Sequence, residues 1–133
     1  MAIQLSAAVR NARLDAIETA IGTAPKLLLY TGAAPANCAA AATGTLLATL
    51  TLPSDWEAAA SAGSKAIANG PWSGTASAAG TAGYFRIMDS TSTTCHVQGT
   101  VGQGSGDMSF DNATFAVGQV INISTFTLTD ANA

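Results

Sequence analysis

The stretch APKLLLYTG, residues 24–32, is where the chain changes from a helical to an extended pattern. Three consecutive leucines followed by tyrosine and threonine make a compact apolar run between a proline and a glycine, which is typical of a buried strand. On its N-terminal side apolar residues recur at helical spacing, whereas on its C-terminal side they alternate with polar ones. The two sides of this stretch therefore predict different secondary structures.

The segment before this strand predicts one α-helix. It is rich in Ala, Arg, Leu and Glu, contains no proline, begins at Ser6 as a cap and ends at Gly22. Asn11, Asp15 and Glu18 form one narrow polar face, and apolar residues occupy most of the remaining circumference. Such a helix is expected to make contacts on more than one side, with its own domain, with another copy or with a larger assembly.

The segment after it, TLLATLTL at residues 45–52, shows the alternation typical of a strand. The face that we expect to be buried carries Leu46, Ala48, Leu50 and Leu52. The threonines between them should face solvent, and the proline that follows should end the strand.

Further strands are predicted along the rest of the chain. GYFRIMD (83–89) and CHVQGTV (95–101) are two strands joined by a serine- and threonine-rich turn. Residues 120–128 are dense in β-branched and aromatic side chains, but the apolar phase slips within this run. A bulge or bend near Ser124 and Thr125 would reconcile the two phases.

One helix followed by about six to eight strands predicts a mainly β protein. Because helices and strands do not alternate, we expect an antiparallel, jelly-roll-like β-sandwich preceded by one N-terminal α-helix. The chain then divides into a helical assembly or docking arm at residues 1–22 and a β-sandwich domain at residues 23–133.

The composition favours association. Charged residues make up only 10% of the 133 residues and apolar residues 48%, much of it alanine, whereas soluble domains are about a quarter charged. A surface of Ala, Thr, Ser and Gly gives little protection against association. We therefore expect a homo-oligomer or permanent assembly with a partner; the alternative is a monomer kept soluble by its hydroxyl groups.

Charge and hydropathy exclude several partners. The net charge is −3 and the five basic residues are scattered, so no nucleic acid is expected. No apolar run is long enough for a membrane span, and the N-terminal segment lacks the pattern of a signal peptide. We expect the protein to be made in a cytoplasm, where Cys38 and Cys95 would be thiols; a disulfide between them is the alternative.

The run HVQGTVGQGSGDMSF at residues 96–110 contains the only histidine of the chain and several glycines. The glycines do not match a phosphate-binding loop, because no lysine follows and no helix begins there. The alternation groups His96 with Gln98 and Thr100, so His96 is expected to face solvent. Residues 102–106 are expected to form the loop of a β-hairpin.

Catalytic and metal-binding chemistry is not expected. His96 is the only histidine available as a base, and no nucleophile motif accompanies it. Cys38, Cys95 and His96 are too few for a zinc site, and the last two fall on opposite faces of one strand. We assign no catalytic, cofactor-binding or metal-binding residue and expect no enzyme.

Four segments together resemble the small structural proteins of tailed bacteriophages. They are SAAVRNARLDAIETAIGTAP (6–25), LLLYTGAAPANCAAAATGTLLATLTLP (27–53), GTAGYFRIMDSTSTTCHVQGTVGQGSGDM (80–108) and VGQVINISTFTLT (117–129). The resemblance covers nearly the whole chain. Within that group the chain is most similar to capsid cement or decoration proteins, some of which are jelly-roll sandwiches that bind the capsid lattice as oligomers.

The resemblance implies a non-enzymatic virion protein that stabilises the phage head. Its partners would be the major capsid protein and further copies of itself, on the capsid surface of a particle assembled in the bacterial host cytoplasm. We expect the helix and the Ala-rich loop at residues 33–44 to supply the contacts. The candidate contact residues are Leu5, Val9, Leu14, Ile17, Ile21, Ala34, Pro35 and Ala39.

Two other functions are alternatives. One is a neck or tail component of the particle. The other is a carbohydrate-binding or adhesive β-sandwich module displayed on the virion, which would need exposed aromatic rings to stack on sugars. The available rings belong to Trp56, Trp72, Tyr30 and Tyr84.

Overall fold

The structure is a computed structural model that describes residues 3–131. Within these residues it has one helix and ten strands, so the predicted mainly β class with one N-terminal helix is confirmed. In chain order the elements are α1 (Ala7–Ile21), β1 (Lys26–Thr31), β2 (Leu46–Thr51), β3 (Ser64–Ala66), β4 (Trp72–Thr75), β5 (Gly80–Met88), β6 (Cys95–Gln103), β7 (Met108–Phe110), β8 (Thr114–Phe115), β9 (Val120–Ile123) and β10 (Thr127–Thr129).

The strands form one large sheet and two ribbons. The large sheet, called the main sheet below, has the order β2-β1-β5-β6-β7, and β8 pairs with β5 outside this path. The ribbons are β3–β10 and β4–β9. This arrangement is consistent with a β-sandwich, but the jelly-roll is not confirmed, since the described strands do not form the two Greek-key sheets of that fold.

Aromatic side chains connect the β4–β9 ribbon to the main sheet. The Trp56 and Trp72 ring centroids are 6.0 Å apart, Trp72 and Phe126 are 6.1 Å apart, and Phe126 meets Phe85 of the main sheet edge-on at 5.4 Å. All four side chains are buried. Tilted and edge-to-face contacts of this kind add to the energy of burial, so this row of rings holds the β4–β9 ribbon against the main sheet.

Strand β2 departs from the predicted alternation at one residue. Ala48, Leu50 and Leu52 are buried as expected, but Leu46 is exposed and Leu47 is buried in its place. The register between β1 and β2 shifts at this point and leaves Leu47 as an additional residue on β2. Because a one-residue shift moves every later side chain to the opposite face, the prediction for Leu46 was wrong.

The predicted hairpin at residues 102–106 was also wrong. β6 continues to Gln103, and β7 pairs with it in parallel, with Val101 opposite Met108. Parallel neighbours usually need a connection of a dozen or more residues. Here Gly104 and Gly106, at φ +69° and +84°, turn the chain through a complete loop in a few residues.

Two predictions in the other strands are confirmed. His96 is exposed, at the position where the β5–β6 register shifts. The expected break near Ser124 separates β9 from β10, which belong to different ribbons. The break allows both Ile123 and Phe126, three residues apart, to be buried.

Candidate assembly surface

Helix α1 lies on its own domain with its polar side facing inward. Ser6 caps it by accepting a hydrogen bond from Val9 N at 3.2 Å, as predicted. Asn11 Oδ1 accepts from Gly63 N at 2.9 Å, and Asp15 Oδ1 accepts from Ala60 N, also at 2.9 Å. Buried backbone N–H groups need acceptors, and the polar side of the helix provides them for the loop that leads into β3.

A buried lysine joins the helix to the β3–β10 ribbon. The Lys65 side chain is 1% exposed, and its Nζ donates to Asp15 Oδ1 at 2.8 Å, Glu18 Oε2 at 2.9 Å and Ala58 O at 2.8 Å. Burial lowers the pKa of Lys65, but its hydrogen bonds to the two carboxylates outweigh that effect and raise it. The hydrogen bond from Lys65 lowers the pKa of Asp15. This ion cluster therefore fixes the helix in one position.

Glu57 is buried beside this cluster without a hydrogen bond. The residue is 1% exposed, and neither carboxyl oxygen has a partner among the described residues. Burial raises its pKa to about 7, Lys65 opposes the rise, and Glu18 and Asp15 add to it. Glu57 is therefore protonated in mildly acidic solution, because the ionised form would be both desolvated and close to other carboxylates.

Further contacts hold the two ends of α1. Arg10 Nη1 donates to Asp130 O at 3.1 Å, and Arg13 Nε lies 3.2 Å from Asp130 Oδ2. At the C-terminal end Trp56 Nε1 donates to Gly22 O at 3.1 Å. Helix α1, which we expected to be part of an arm, is thus attached to the domain from Arg10 to its C-terminal end.

The outward side of α1 consists mainly of small residues, with the exposed Arg13 at its edge. Ala8, Ala12, Ala16 and Ala20 recur every four residues, which places them on one side of the helix. All four are exposed, and Val9 beside them is 46% exposed. The candidate contacts named from the sequence did not include these alanines, although their four-residue spacing was visible there. The inward turn of the polar side, which exposes the alanines, was not visible.

The Ala-rich loop at residues 33–44 is fastened to the outer face of the main sheet. Gln98 Nε2 donates to Pro35 O at 2.7 Å, and Arg86 Nη2 donates to Ala40 O, also at 2.7 Å. Tyr84 Oη donates to Thr43 O at 2.6 Å. Three side chains of β5 and β6 thereby hold the loop by its carbonyl oxygens, so the loop is an ordered cover for this face.

The eight candidate contact residues differ in accessibility. Val9 and Ala39 are exposed, whereas Leu5, Ile17, Ala34 and Pro35 are half-buried. Leu14 and Ile21 are 4% and 6% exposed and face the interior of the domain, so we withdraw them as contacts with a partner. Their burial follows from the docking of the helix, which uses them as part of the hydrophobic interior.

The aromatic rings considered for sugar stacking are largely inaccessible. Trp56, Trp72 and Tyr84 are buried. Tyr30 is half-buried, and its ring stacks on Tyr84 with centroids 5.0 Å apart and planes 8° apart. These rings are used within the protein, so the structure provides no support for a sugar-binding platform built from them.

An open cleft of about 400 Å³ lies between β6 and β10. Phe85, Phe126 and Leu128 line it, together with the acidic residue Asp107. Asp107 Oδ2 already accepts from Thr100 N at 2.9 Å and from Thr100 Oγ1 at 3.0 Å. A second acid or a histidine does not line this cleft, so the arrangement lacks a paired acid and base.

Neither a metal cluster nor a spanning helix is found in residues 3–131. In this part of the chain no three His, Cys, Asp or Glu side chains are grouped so that they could bind a metal ion. The helix there does not have the length and hydropathy needed to cross a bilayer. No protein family, no curated protein and no solved structure matches the chain.

Proposed function

We propose that this protein is a non-enzymatic structural component of a phage particle that acts as a capsid cement or decoration protein. It would bind the major capsid protein and further copies of itself on the capsid surface. The observation that carries the proposal is the exposed alanine side of α1, with Val9 at its N-terminal end. The resemblance of the sequence to phage structural proteins supports the same class.

The outward side of the helix has the chemistry of an interface. The centre of a protein interface is depleted in charged residues. The row formed by Ala8, Ala12, Ala16 and Ala20 contains no charged side chain. Alanine side chains lose no rotamer freedom when they are covered, so binding here is accompanied by little ordering cost. Each contact is modest in area, but a lattice that offers many sites strengthens binding through multivalency.

The attachment of the helix makes this surface rigid. Lys65, Asp15 and Glu18 hold its inner side, and Arg10 and Trp56 hold its ends. A surface that is already ordered before binding retains more of its contact energy than a flexible arm would. The β domain and the outward side of α1 therefore bind as one rigid body.

Co-sedimentation with empty heads tests the proposal. Heads assembled from the major capsid protein of the same genome are mixed with purified protein, and the bound copy number is measured by gel densitometry. Binding should saturate at a fixed ratio to capsid subunits. Failure to bind intact, expanded shells would overturn the proposal and favour the neck or tail alternative.

Substitutions on the alanine side connect the binding to this surface. Ala12→Arg and Ala16→Arg place a charge in the interface and should reduce bound copies at least tenfold, with little change in melting temperature because both residues are exposed. Ser73→Arg, at an exposed position of β4, is the matched control and should bind as the natural protein does. If all three variants bind equally, α1 is not the contact surface.

A further inference from the structure

The two cysteines, far apart in sequence, are neighbours in the structure. Cys38 lies in the loop at 33–44, and Cys95 is the first residue of β6. Both are free thiols and both are half-buried, so neither is sealed inside the protein. The Cys38 thiol is one of the groups that raise the pKa of Cys95, so the two side chains are close enough to interact.

Arg86 explains why the two residues meet. Its Nη2 donates to Asn37 O at 3.3 Å and to Ala40 O at 2.7 Å, so it holds the chain on both sides of Cys38. On β5, Met88 is two residues beyond Arg86 and therefore on the same face, and Cys95 is paired with Met88. One buried arginine thus holds the loop over the face of the sheet on which Cys95 lies.

We propose that Cys38 and Cys95 form a reversible disulfide that clamps the loop at 33–44 onto the main sheet, with small-molecule disulfides such as oxidised glutathione as the oxidant. This inference rests on the position of the two thiols and is independent of the capsid proposal.

The disulfide forms in two thiol–disulfide exchange steps. The Cys38 thiolate attacks one sulfur of oxidised glutathione, forms a mixed disulfide and releases one glutathione thiolate. The Cys95 thiolate, after losing its proton to solvent, attacks the Cys38 sulfur and releases the second glutathione thiolate. Two electrons pass from the protein to glutathione, and the two thiol protons end on the two reduced glutathione molecules.

The order of these steps follows from the surroundings of Cys95. Burial and the neighbouring Cys38 thiol raise the pKa of Cys95 to about 12, so Cys95 keeps its proton in the reduced protein. Because the thiolate is the nucleophile, the first exchange falls to Cys38. Cys95 then acts as the resolving thiol, because the mixed disulfide at Cys38 lies beside it.

The clamp would secure the loop covalently. In the reduced state the loop is held by hydrogen bonds from Tyr84, Arg86 and Gln98 to its carbonyl groups. A disulfide would add a bond that does not break when the loop opens locally. Oxidation is therefore expected to suppress opening of residues 33–44 selectively.

The test is oxidation of the full-length reduced protein by a glutathione buffer, in native buffer and in urea. Intact mass should show loss of two hydrogen atoms per chain, and peptide mapping should join Cys38 to Cys95. Formation should be at least tenfold faster in native buffer, because the fold holds the thiols together. Equal rates, or glutathione adducts that never close into the internal bond, would overturn the proposal.

Limited proteolysis with elastase, which cleaves after small residues, measures how strongly the disulfide restricts the loop. Oxidation should slow cleavage within residues 33–44 at least fivefold, and reduction should restore the original rate. Cys38→Ser and Cys95→Ser each retain one thiol and should show no redox dependence of cleavage. Melting temperatures of the two reduced variants, compared with that of the reduced natural protein, verify that they fold. Unchanged cleavage of the fully oxidised protein would contradict the clamp.

Discussion

Lys65 and Glu57 show two outcomes of burying an ionisable side chain in the same region. Lys65 has three acceptors around its ammonium group, so its charge is compensated within the fold. Glu57 has none among the described residues, and it lies in the field of two other carboxylates. Unpaired buried carboxyl groups are stable only when they are neutral. Glu57 therefore makes stability depend on pH near neutrality.

Glu57→Gln is expected to stabilise the protein at pH 8 by about 1–2 kcal/mol, because it removes a buried negative charge that has no partner. At pH 4 the two proteins should differ little, since Glu57 is then neutral. Urea unfolding at both pH values measures the difference. The interpretation fails if the substitution is equally destabilising at pH 4 and at pH 8.

Lys65→Met is expected to destabilise the protein by about 2–3 kcal/mol. The substitution retains the apolar stem but leaves Asp15 and Glu18 without their cation; both are partly exposed, so water recovers some of the loss. Lys26→Met is the control, because within residues 3–131 the Lys26 ammonium group bonds only the exposed Thr51 hydroxyl, at 2.6 Å. That variant should change the free energy of unfolding by less than about 0.5 kcal/mol. Similar losses in the two variants would argue against the special role of Lys65.

At the scale of elements, the main sheet depends on irregular positions. A register shift leaves Gly83 as an additional residue on β5, opposite the point where β1 passes from Tyr30 to Thr31. A Cβ atom at Gly83 would collide with the carbonyl oxygen of Gly32. Backbone atoms cannot rotate away as a flexible side chain can, so only glycine fits at this bulge.

Gly83→Ala should therefore cost about 2–3 kcal/mol of unfolding free energy, because β1 and β5 must separate to accept the methyl group. Gly104→Ala serves for comparison: a Cβ there would touch nothing, and only the left-handed backbone conformation at φ +69° opposes it. That conformation costs about 1 kcal/mol. Denaturant titration of both variants provides the measurement, and a Gly83→Ala loss no larger than that of Gly104→Ala would contradict the close approach.

Helix α1 is the element whose orientation matters most for the proposed function. Its polar residues Asn11, Asp15 and Glu18 face the domain, and its alanines face outward. Deletion of residues 1–22 would remove Leu14 and Ile21 from the interior along with the contact surface, so it cannot separate folding from binding. Substitutions at Ala12 and Ala16 affect the outward side alone.

In the whole molecule, carboxyl groups with lowered pKa values and one with a raised pKa change the stability in opposite directions as the pH rises, and together they determine the pH of greatest stability. Hydrogen bonds lower the pKa of Asp15 and Asp89 below the ordinary value of 3.8, so the stability they contribute is present above that pH and is lost as the pH falls. The pKa of Glu57 is raised from 4.5 to about 7, so its proton contributes stability that is lost as the pH rises through this range.

We therefore expect the melting temperature to be highest near pH 4–5 and to decline towards pH 8. Differential scanning calorimetry measures the melting temperature at each pH. Repeating it at several protein concentrations shows whether self-association near the isoelectric point, about 4.7, contributes to the maximum. In Glu57→Gln the decline above pH 5 should be much smaller. A natural protein with its maximum at pH 7–8 would contradict the assignment of Glu57 as the buried acid.

Patterns within single segments were enough to predict the local structure, namely the capped helix, the strands β1 and β2, and the break near Ser124. Caps, turn residues and periodicity act over a few positions, so a single segment contains the information. The tertiary structure decided three further features: the burial of Leu47, the parallel pairing of β7 with β6, and the inward orientation of the polar side of α1. Each depends on a partner distant in sequence, and no periodicity within one segment records which face that partner will cover.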